Sequence, residues 1–405
     1  MKTRQLIPQL RFPEFEGDWN EKKLDSLLEF KNGINASKED YGFGYKFINV
    51  LDIIENDFIT YDKIRGEVNV TQEIFEKNLV QYGDILFQRS SETREEVGQS
   101  NVYLDKEHSA TFGGFVIRGK KISEYEPFFF HILLKTSVAR KEITTKSGGS
   151  TRYNIGQDVL SSVKLPFPSL PEQQKIANFL TAIDRRIQSL EKKKTLLEAY
   201  KKGVMQKLFN QELRFKDEKG GEFPKWESKK IGKVFKERNE KNYPEMELLS
   251  VSINSGIYPQ SESNKKDSSN SDKSKYKRVL KNDIAYNSMR MWQGASSVSE
   301  YDGIVSPAYT ILESNNCNDS KFFGYLFKMS FMVQIFQKHS QGLTSDTWNL
   351  KYPMISKIKI NVPSLKEQTK IANFLSAIDR KIELINAQIK KTKTYKKGLL
   401  QQMFV

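Results

Sequence analysis

The chain has 405 residues, of which 38% are hydrophobic, and these values allow two or three domains with packed cores and exclude a disordered tail. Its formal net charge of +15 favours a polyanionic partner, either nucleic acid or an anionic membrane surface, although a basic protein without such a partner would show the same excess. The single cysteine, Cys317, excludes internal disulfides and Cys-rich zinc sites.

The N-terminus lacks the apolar stretch of a signal peptide. No run approaches the roughly 20 apolar residues that cross a bilayer. We therefore expect a cytoplasmic protein without a membrane partner.

Residues 1–166 are predicted to form a globular domain. Short alternating apolar runs, such as residues 45–48 and 84–87, are typical of strands and are mixed with helical segments. This mixture predicts an α+β fold.

Two polar loops of this first domain have the composition of DNA-reading segments. Residues 88–94 offer Arg and Gln side chains, which form paired hydrogen bonds with guanine and adenine. Residues 146–154 are rich in Gly, Ser and Thr, which let the backbone approach a groove closely. An ordinary polar loop is the alternative for each segment. The candidate DNA-binding residues are Arg89, Ser90, Ser91, Thr93, Arg94, Lys146, Ser150, Thr151, Arg152 and Tyr153.

Residues 167–210 are predicted to form a long helix. Its apolar positions alternate in steps of three and four, which is the heptad pattern of a helix that pairs with another helix. Ser169 stands three residues before Glu172, the spacing of a capping box. The predicted helix-pairing residues are Ile176, Leu180, Ile183, Ile187, Leu190 and Leu197.

The second half of the chain repeats the first. Residues 168–180 return as residues 363–375 with an offset of 195 positions, and the offset still holds at the Tyr-Lys-Lys-Gly sequence of residues 200–203 and 395–398. A tandem duplication explains this agreement.

Residues 211–361 are accordingly predicted to form a second α+β domain with equivalent polar loops. A further candidate is the basic loop of residues 261–278, which either clamps phosphates or is simply solvated. The candidate DNA-binding residues of this domain are Lys265, Lys266, Asn287, Arg290, Trp292, Gln293, Gln341, Thr344, Ser345 and Trp348.

The second copy of the long helix is predicted at residues 362–405. Because one copy is internal and the other is terminal, an intramolecular antiparallel coiled coil with pseudo-two-fold symmetry is the simplest pairing. Two surface helices, each packed on its own domain, are the alternative. The helix-pairing residues of this copy are Ile371, Leu375, Ile378, Ile382, Ile385 and Ile389.

No catalytic constellation is visible in the sequence. Residues 114–121 have the spacing of a phosphate-binding loop, but Lys121 stands where a Ser or Thr hydroxyl should hold magnesium. The three histidines, His108, His131 and His339, are far apart and are interpreted as packed or surface side chains. We therefore predict a binding protein without catalytic residues, metal ligands or a cofactor of its own.

The duplicated motif Pro-Ser-Leu-x-Glu-Gln-x-Lys-Ile-Ala-Asn-Phe-Leu resembles the conserved regions of type I restriction–modification specificity subunits. The resemblance covers the whole chain. Departures are mild, since Lys366 replaces Pro171 of the first copy and Asn282 replaces Gly83.

This resemblance implies a non-catalytic subunit with two target-recognition domains, each of which reads one half of a bipartite double-stranded DNA target. The paired helices would set the unread spacer and dock two methyltransferase subunits, which bind S-adenosylmethionine. Separate restriction and translocase subunits would use ATP and Mg²⁺ to cut the DNA of invading phage.

A basic coiled-coil scaffold that binds DNA or a membrane without sequence specificity is the alternative. A preference for particular DNA sequences would distinguish the specificity subunit from such a scaffold. A fused nuclease or methyltransferase is a third hypothesis, but the sequence lacks the motifs of either enzyme.

Overall fold

The computed structural model describes residues 6–149, 151–252, 256–263, 269–313, 315–344 and 347–405. The chain divides into two compact units, one made of Met1–Glu191 with Ala387–Val405 and the other of Lys192–Asn386. Each unit therefore contains one globular domain and a part of each long helix.

The globular domain of the first unit combines short strands with short helices. Its strands are β1 (Asn20–Lys23), β2 (Leu28–Asn32), β3 (Tyr41–Ile48), β4 (Gly66–Val68), β5 (Ile85–Gln88), β6 (Ser90–Ser91), β7 (Ser100–Val102), β8 (Thr111–Phe112), β9 (Val116–Lys121), β10 (Tyr153–Asn154) and β11 (Lys164–Phe167). Its helices are α1 (Val50–Glu55), α2 (Gln72–Lys77), α3 (Pro127–Lys135), α4 (Ser137–Lys146), α5 (Gln157–Ser161) and the start of the long helix α6 (Leu170–Phe209).

An antiparallel sheet in the order β2-β9-β5-β7 lies at the centre of this domain. Strand β3 pairs antiparallel with β4 and parallel with β8, whereas β1 and β11 form the antiparallel pair that precedes α6. Because most of residues 114–121 form the interior strand β9, the stretch with phosphate-loop spacing belongs to this sheet.

Aromatic side chains fill the core of the first unit. The ring centroids of Trp19 and Phe129 are 5.9 Å apart, and the ring of Phe404 lies 6.1 Å from the first and 5.6 Å from the second. Leu180 of α6 belongs to the same core. The start of one long helix and the end of the other therefore pack together in this unit.

The second unit repeats this organisation. Its strands are β12 (Glu227–Lys230), β13 (Lys236–Arg238), β14 (Leu249–Ser252), β15 (Gly256–Pro259), β16 (Lys277–Val279), β17 (Ile284–Asn287), β18 (Ser296–Val298), β19 (Gly303–Val305), β20 (Tyr309–Glu313) and β21 (Lys359–Val362). Its helices are the end of α6, then α7 (Ile231–Val234), α8 (Ser320–Leu326), α9 (Ser330–His339), α10 (Tyr352–Ile355) and the start of the long helix α11 (Leu365–Gln402).

The sheets of the second unit follow the same plan. The central sheet has the order β13-β20-β17-β18, and β12 pairs with β21 before α11. Strand β14 pairs with β15, and β16 pairs with β19. The core joins Leu208 and Phe209 at the end of α6 with Ile371 and Leu375 at the start of α11. The predictions of two α+β domains and of antiparallel helix pairing are confirmed within each unit.

The heptad positions of the long helices are shielded from water, whereas Leu196 and Leu384, which lie off the heptad pattern, are exposed. The buried helix-pairing residues are Ile176, Leu180, Ile187, Leu190, Ile371, Leu375, Ile378, Ile385 and Ile389, and the half-buried ones are Ile183, Leu197 and Ile382.

Within the described residues, none of the helices combines the length and the apolar character that crossing a bilayer requires.

The glutamate of the repeated motif has partners that the capping-box pattern does not predict. The buried carboxylate of Glu172 accepts hydrogen bonds from Nε and Nη2 of Arg11 at 2.8 and 2.7 Å. Glu367 accepts the equivalent pair from Arg214 at 3.0 and 2.8 Å. This glutamate therefore ties the first turn of each long helix to the segment that enters the domain.

The glutamine of the repeated motif also makes the same two hydrogen bonds in both copies. Nε2 of Gln173 donates to the carbonyl of Pro168 at 2.9 Å, and its Oε1 accepts from the N–H of Glu126 at 3.1 Å. Gln368 makes the equivalent bonds to Pro363 and Asp319, each of 2.9 Å. Glu126 and Asp319 are the N-caps of α3 and α8, so this side chain joins two helix starts.

Candidate nucleic-acid interface

The two polar loops of the first domain lie side by side. Strands β6 and β10 pair antiparallel, with Ser91 opposite Tyr153. The N–H of Ile155 donates to the carbonyl of Arg89 at 2.9 Å. The fold thus brings together two segments that are about 60 residues apart in the sequence, and it forms one continuous polar surface.

The candidate side chains on this surface differ in their access to solvent. Ser91 is buried, and its hydroxyl donates to Glu96 at 3.0 Å. Ser150 lies outside the described residues. The exposed candidates are Arg89, Thr93, Arg94, Thr151 and Arg152, and the half-buried ones are Ser90, Lys146 and Tyr153.

Nη1 of Arg89 donates to the carbonyl of Gly114 at 3.4 Å. Two further candidate cations have partners in α4. Arg94 donates to the carbonyls of Thr144 and Thr145 at 3.1 and 3.3 Å, where a positive charge suits the end of α4. Lys146 pairs with Glu142 at 2.8 Å. These partners compete with a phosphate for both cations. Arg94 and Lys146 therefore hold the loops in place as well as offering charge to a ligand.

Phe115 extends this surface and is not among the residues predicted from the sequence. Its carbonyl accepts from the N–H of Arg89 at 2.9 Å, and its side chain is 63% exposed. A Cβ atom on the preceding Gly114 would collide with the side chain of Asn35, so the turn that carries Phe115 is tightly packed. The sequence feature that could have identified Phe115 is an aromatic residue directly after two glycines.

Arg140 of α4 braces the loop that follows Arg89. Its guanidinium donates to the carbonyls of Gly98 at 2.7 Å, Val97 at 2.6 Å and Glu95 at 3.0 Å. Burial lowers the pKa of Arg140, yet three carbonyls surround its charge. The loop is therefore held by an arginine that belongs to the scaffold.

We expect Arg140→Ala to loosen this loop, because three carbonyls lose a charged donor that contributes about 1.5–3 kcal/mol per hydrogen bond. Hydrogen exchange of the amides of residues 95–99 should accelerate at least about tenfold. Lys141→Ala, which alters an exposed neighbour, is the matched control and should leave the exchange unchanged. Equal exchange in both variants would show that the brace is dispensable.

The second domain brings its two polar loops together through aromatic side chains. The rings of Trp292 and Trp348 meet edge to face with centroids 5.2 Å apart. The N–H of Leu350 donates to the carbonyl of Ser288 at 2.8 Å. This bond corresponds to the one between Ile155 and Arg89, so both domains join the same two segments.

The second surface is less charged and more apolar than the first. The side chain of Leu343 is fully exposed, and that of Met289 is 45% exposed. Neither residue was selected from the sequence, because single apolar residues in polar loops give no pattern. The exposed candidates are Arg290, Gln293, Gln341 and Thr344, the half-buried ones are Asn287, Trp292 and Trp348, and those outside the described residues are Lys265, Lys266 and Ser345.

The three histidines occupy separate places. Burial lowers the pKa of His131 to about 3, so this side chain is neutral at physiological pH. His108 stacks on Tyr61 with centroids 4.9 Å apart, and Nδ1 of His339 lies 2.9 Å from the carbonyl of Ile335. In the described part of the chain, no group of three or more His, Cys, Asp and Glu side chains is arranged to hold a metal ion.

Comparison with protein families gives two adjacent matches. The family described as type I restriction modification DNA specificity domain matches residues 16–199 and residues 224–393. Each match contains one globular domain and most of the long helix that follows it. The family model therefore repeats along the chain as the sequence itself does.

Individual relatives carry the same description. A protein named as the MjaX type I restriction enzyme specificity subunit of Methanocaldococcus jannaschii is 25% identical, over 96% of this chain and 93% of the relative. The MjaIX specificity subunit of the same organism is 29% identical over 57% of this chain and 55% of its own length.

Two solved structures share the fold. The S subunit of a type I restriction–modification system from M. genitalium has a TM-score of 0.57 and 18% identity, over 98% of this chain and 99% of that chain. The HsdS subunit from Thermoanaerobacter tengcongensis has a TM-score of 0.51 and 14% identity, over 95% of each chain.

Proposed function

The chain belongs to the family of type I restriction–modification DNA specificity subunits, and we propose that its two recognition domains read the two halves of one bipartite DNA target. One observation carries this proposal. In each domain the loop after a central strand meets the hairpin before the long helix through an equivalent backbone hydrogen bond. Two equivalent surfaces in one chain suit two half-sites in one duplex.

Affinity and specificity come from different residues in this proposal. Lys and Arg side chains of a chain with a net charge of +15 contact phosphates and make binding sensitive to salt. Exposed side chains on the two surfaces contact base edges, with Arg89 and Arg152 in the first domain and Arg290 and Gln293 in the second. Met289 and Leu343 suit contact with thymine methyl groups.

The long helices set the spacer and dock the partner subunits in this proposal. Tyr200 and Tyr395 occupy equivalent positions and are 54% and 56% exposed. Two equivalent exposed aromatic residues suit two copies of one partner, since aromatic residues are enriched at protein interfaces. The partners are two methyltransferase subunits, which bind S-adenosylmethionine, and restriction subunits, which use ATP and Mg²⁺. This chain contributes recognition and no catalytic residue.

The test changes one recognition surface at a time. Arg290→Ala with Gln293→Ala is expected to weaken discrimination at one half-site about 5- to 100-fold, because a paired hydrogen bond to a base contributes about 1–3 kcal/mol of specificity. Arg89→Ala changes the recognition surface of the other domain and should affect only the other half-site. Methylation of duplexes with single-base changes, by the complex with methyltransferase subunits, measures both.

Equal weakening at both half-sites would assign these side chains to phosphate contacts or to structure. Footprinting of the same complex separates the proposal from a scaffold without sequence specificity. We expect two short protected blocks that flank an indifferent spacer. Uniform protection along the duplex would favour the scaffold.

A further inference from the structure

The same ion pair links the two long helices once in each unit. Nζ of Lys201 lies 2.5 Å from Oδ1 of Asp379 in the second unit. Nζ of Lys396 lies 2.6 Å from Oδ1 of Asp184 in the first unit. The two lysines and the two aspartates are each related by the 195-residue offset. All four side chains are only 22–33% exposed.

The apolar seam alone does not fix the register of the helices, because a slip by one heptad again places apolar positions against apolar positions. A slip in one direction places Lys201 against Ala372. The same slip places Lys396 against Ala177, so both ammonium groups lose their carboxylates. A slip in the opposite direction places Lys201 against Asn386, whereas Lys396 then faces Glu191 and keeps an acidic partner. In each alternative at least one partly shielded lysine lacks a carboxylate, and this uncompensated charge penalises the slip.

The ion pair of the second unit also contacts the globular domain. The hydroxyl of Tyr325 in α8 donates to Oδ2 of Asp379 at 2.7 Å, and Nζ of Lys201 lies 5.0 Å from the centroid of the tyrosine ring. Lys328, just after α8, also lies near this pair, and partial desolvation of its ammonium group lowers its pKa. Lys135 at the end of α3 lies near the pair of the first unit in the same way, and partial desolvation lowers its pKa. In the second unit the carboxylate of Asp379 therefore also holds the globular domain against the helices.

We infer that the two Asp–Lys pairs are positioning residues that fix the register of the long helices and thereby the spacer between the two half-sites. The inference rests on the proposed function, since only a bipartite target has a spacer.

The experiment removes both charges and then exchanges them. Asp184→Asn with Asp379→Asn keeps the size of both side chains. The complex of this variant with methyltransferase subunits is assayed on duplexes that keep both half-sites and vary the spacer by single base pairs. We expect the same half-sites to be required. Methylation at spacers about three base pairs shorter or longer, the change that corresponds to a slip of one heptad (about 10.5 Å), should rise about tenfold relative to the original length, because two partly exposed ion pairs are lost.

The charge-exchanged variant carries Asp184→Lys, Lys396→Asp, Asp379→Lys and Lys201→Asp. We expect it to restore the single spacer, because opposite charges face each other again in the same register. Circular dichroism of each variant reports whether the helices are intact. A role in stability alone would leave the spacer preference of the Asn variant unchanged.

Lys393→Ala is the matched control. Lys393 pairs with Glu191 at 2.7 Å, but the two side chains are 56% and 45% exposed. The equivalent positions are Glu198 and Asn386, so the pair is not repeated. The control should keep the original spacer.

An Asn variant that keeps a single spacer, or a charge exchange that fails to restore it, would overturn the inference. If the complex with the unaltered chain methylated duplexes of every spacer length equally, that result would instead contradict the proposed function. The two failures are therefore distinguishable on the same set of duplexes.

Discussion

Replacing Arg214 by alanine is expected to lower the free energy of unfolding by about 3 kcal/mol, since removing one partner of a buried ion pair leaves an uncompensated charge. The carboxylate of Glu367 is completely buried, and both of its oxygens accept hydrogen bonds from Arg214. The arginine itself is 24% exposed, so water can enter the space that it leaves and limits the loss.

Replacing Arg11 by alanine is the equivalent change in the first unit, and it should lower the free energy of unfolding by less. Glu172 accepts a further hydrogen bond from Nε1 of Trp19 at 3.3 Å, which remains when Arg11 is replaced. In the second unit Nε1 of Trp226 is buried without a hydrogen-bond partner among the described residues. We therefore expect Arg214→Ala to destabilise the chain more than Arg11→Ala does.

Urea unfolding of both variants measures this difference. Lys229→Ala is a suitable control in the second unit, because Lys229 and Glu227 form an exposed pair that contributes about 0–1 kcal/mol. If Arg214→Ala and Lys229→Ala unfold at the same urea concentration, the buried pair does not hold the long helix to its domain.

Lengthening both long helices by one heptad is expected to lengthen the DNA spacer by about three base pairs, since seven helical residues add about 10.5 Å and a base pair rises about 3.4 Å. Insertions after Leu190 and after Ile389 keep the heptad phase of both helices. They also lie between the two repeated Asp–Lys pairs and leave both intact.

The same insertion after Leu190 alone is the informative comparison. It shifts one helix against the other on one side of the insertion, so it should abolish assembly with the methyltransferase subunits. Methylation of duplexes with graded spacers measures both results. An unchanged spacer in the double insertion would contradict the assignment of the helices as the ruler.

The repeated architecture could be predicted from the sequence. The 195-residue offset and the heptads define two domains and two pairing helices, because periodicity and repetition are visible in a single chain. The capping-box spacing of Glu172 did not identify the main partner of its carboxylate. Its partner Arg11 is 161 residues away, and local spacing carries no information about such a contact.

The candidate surfaces could be predicted only in part. The composition of residues 88–94 and 146–154 indicates exposed polar loops, but their pairing through β6 and β10 is a tertiary contact. The roles of Arg94 and Phe115 also follow from the fold. One donates to the end of α4, and the other is exposed by a glycine turn packed on Asn35.

The most direct test of the account is a map of methylated adenines in a genome that carries this chain together with its methyltransferase partners. We expect one motif with two short defined halves, separated by a spacer of fixed length and indifferent sequence, and we expect Arg290→Ala with Gln293→Ala to change only one half. A continuous motif, or a bipartite motif that persists when this chain is deleted, would contradict the account.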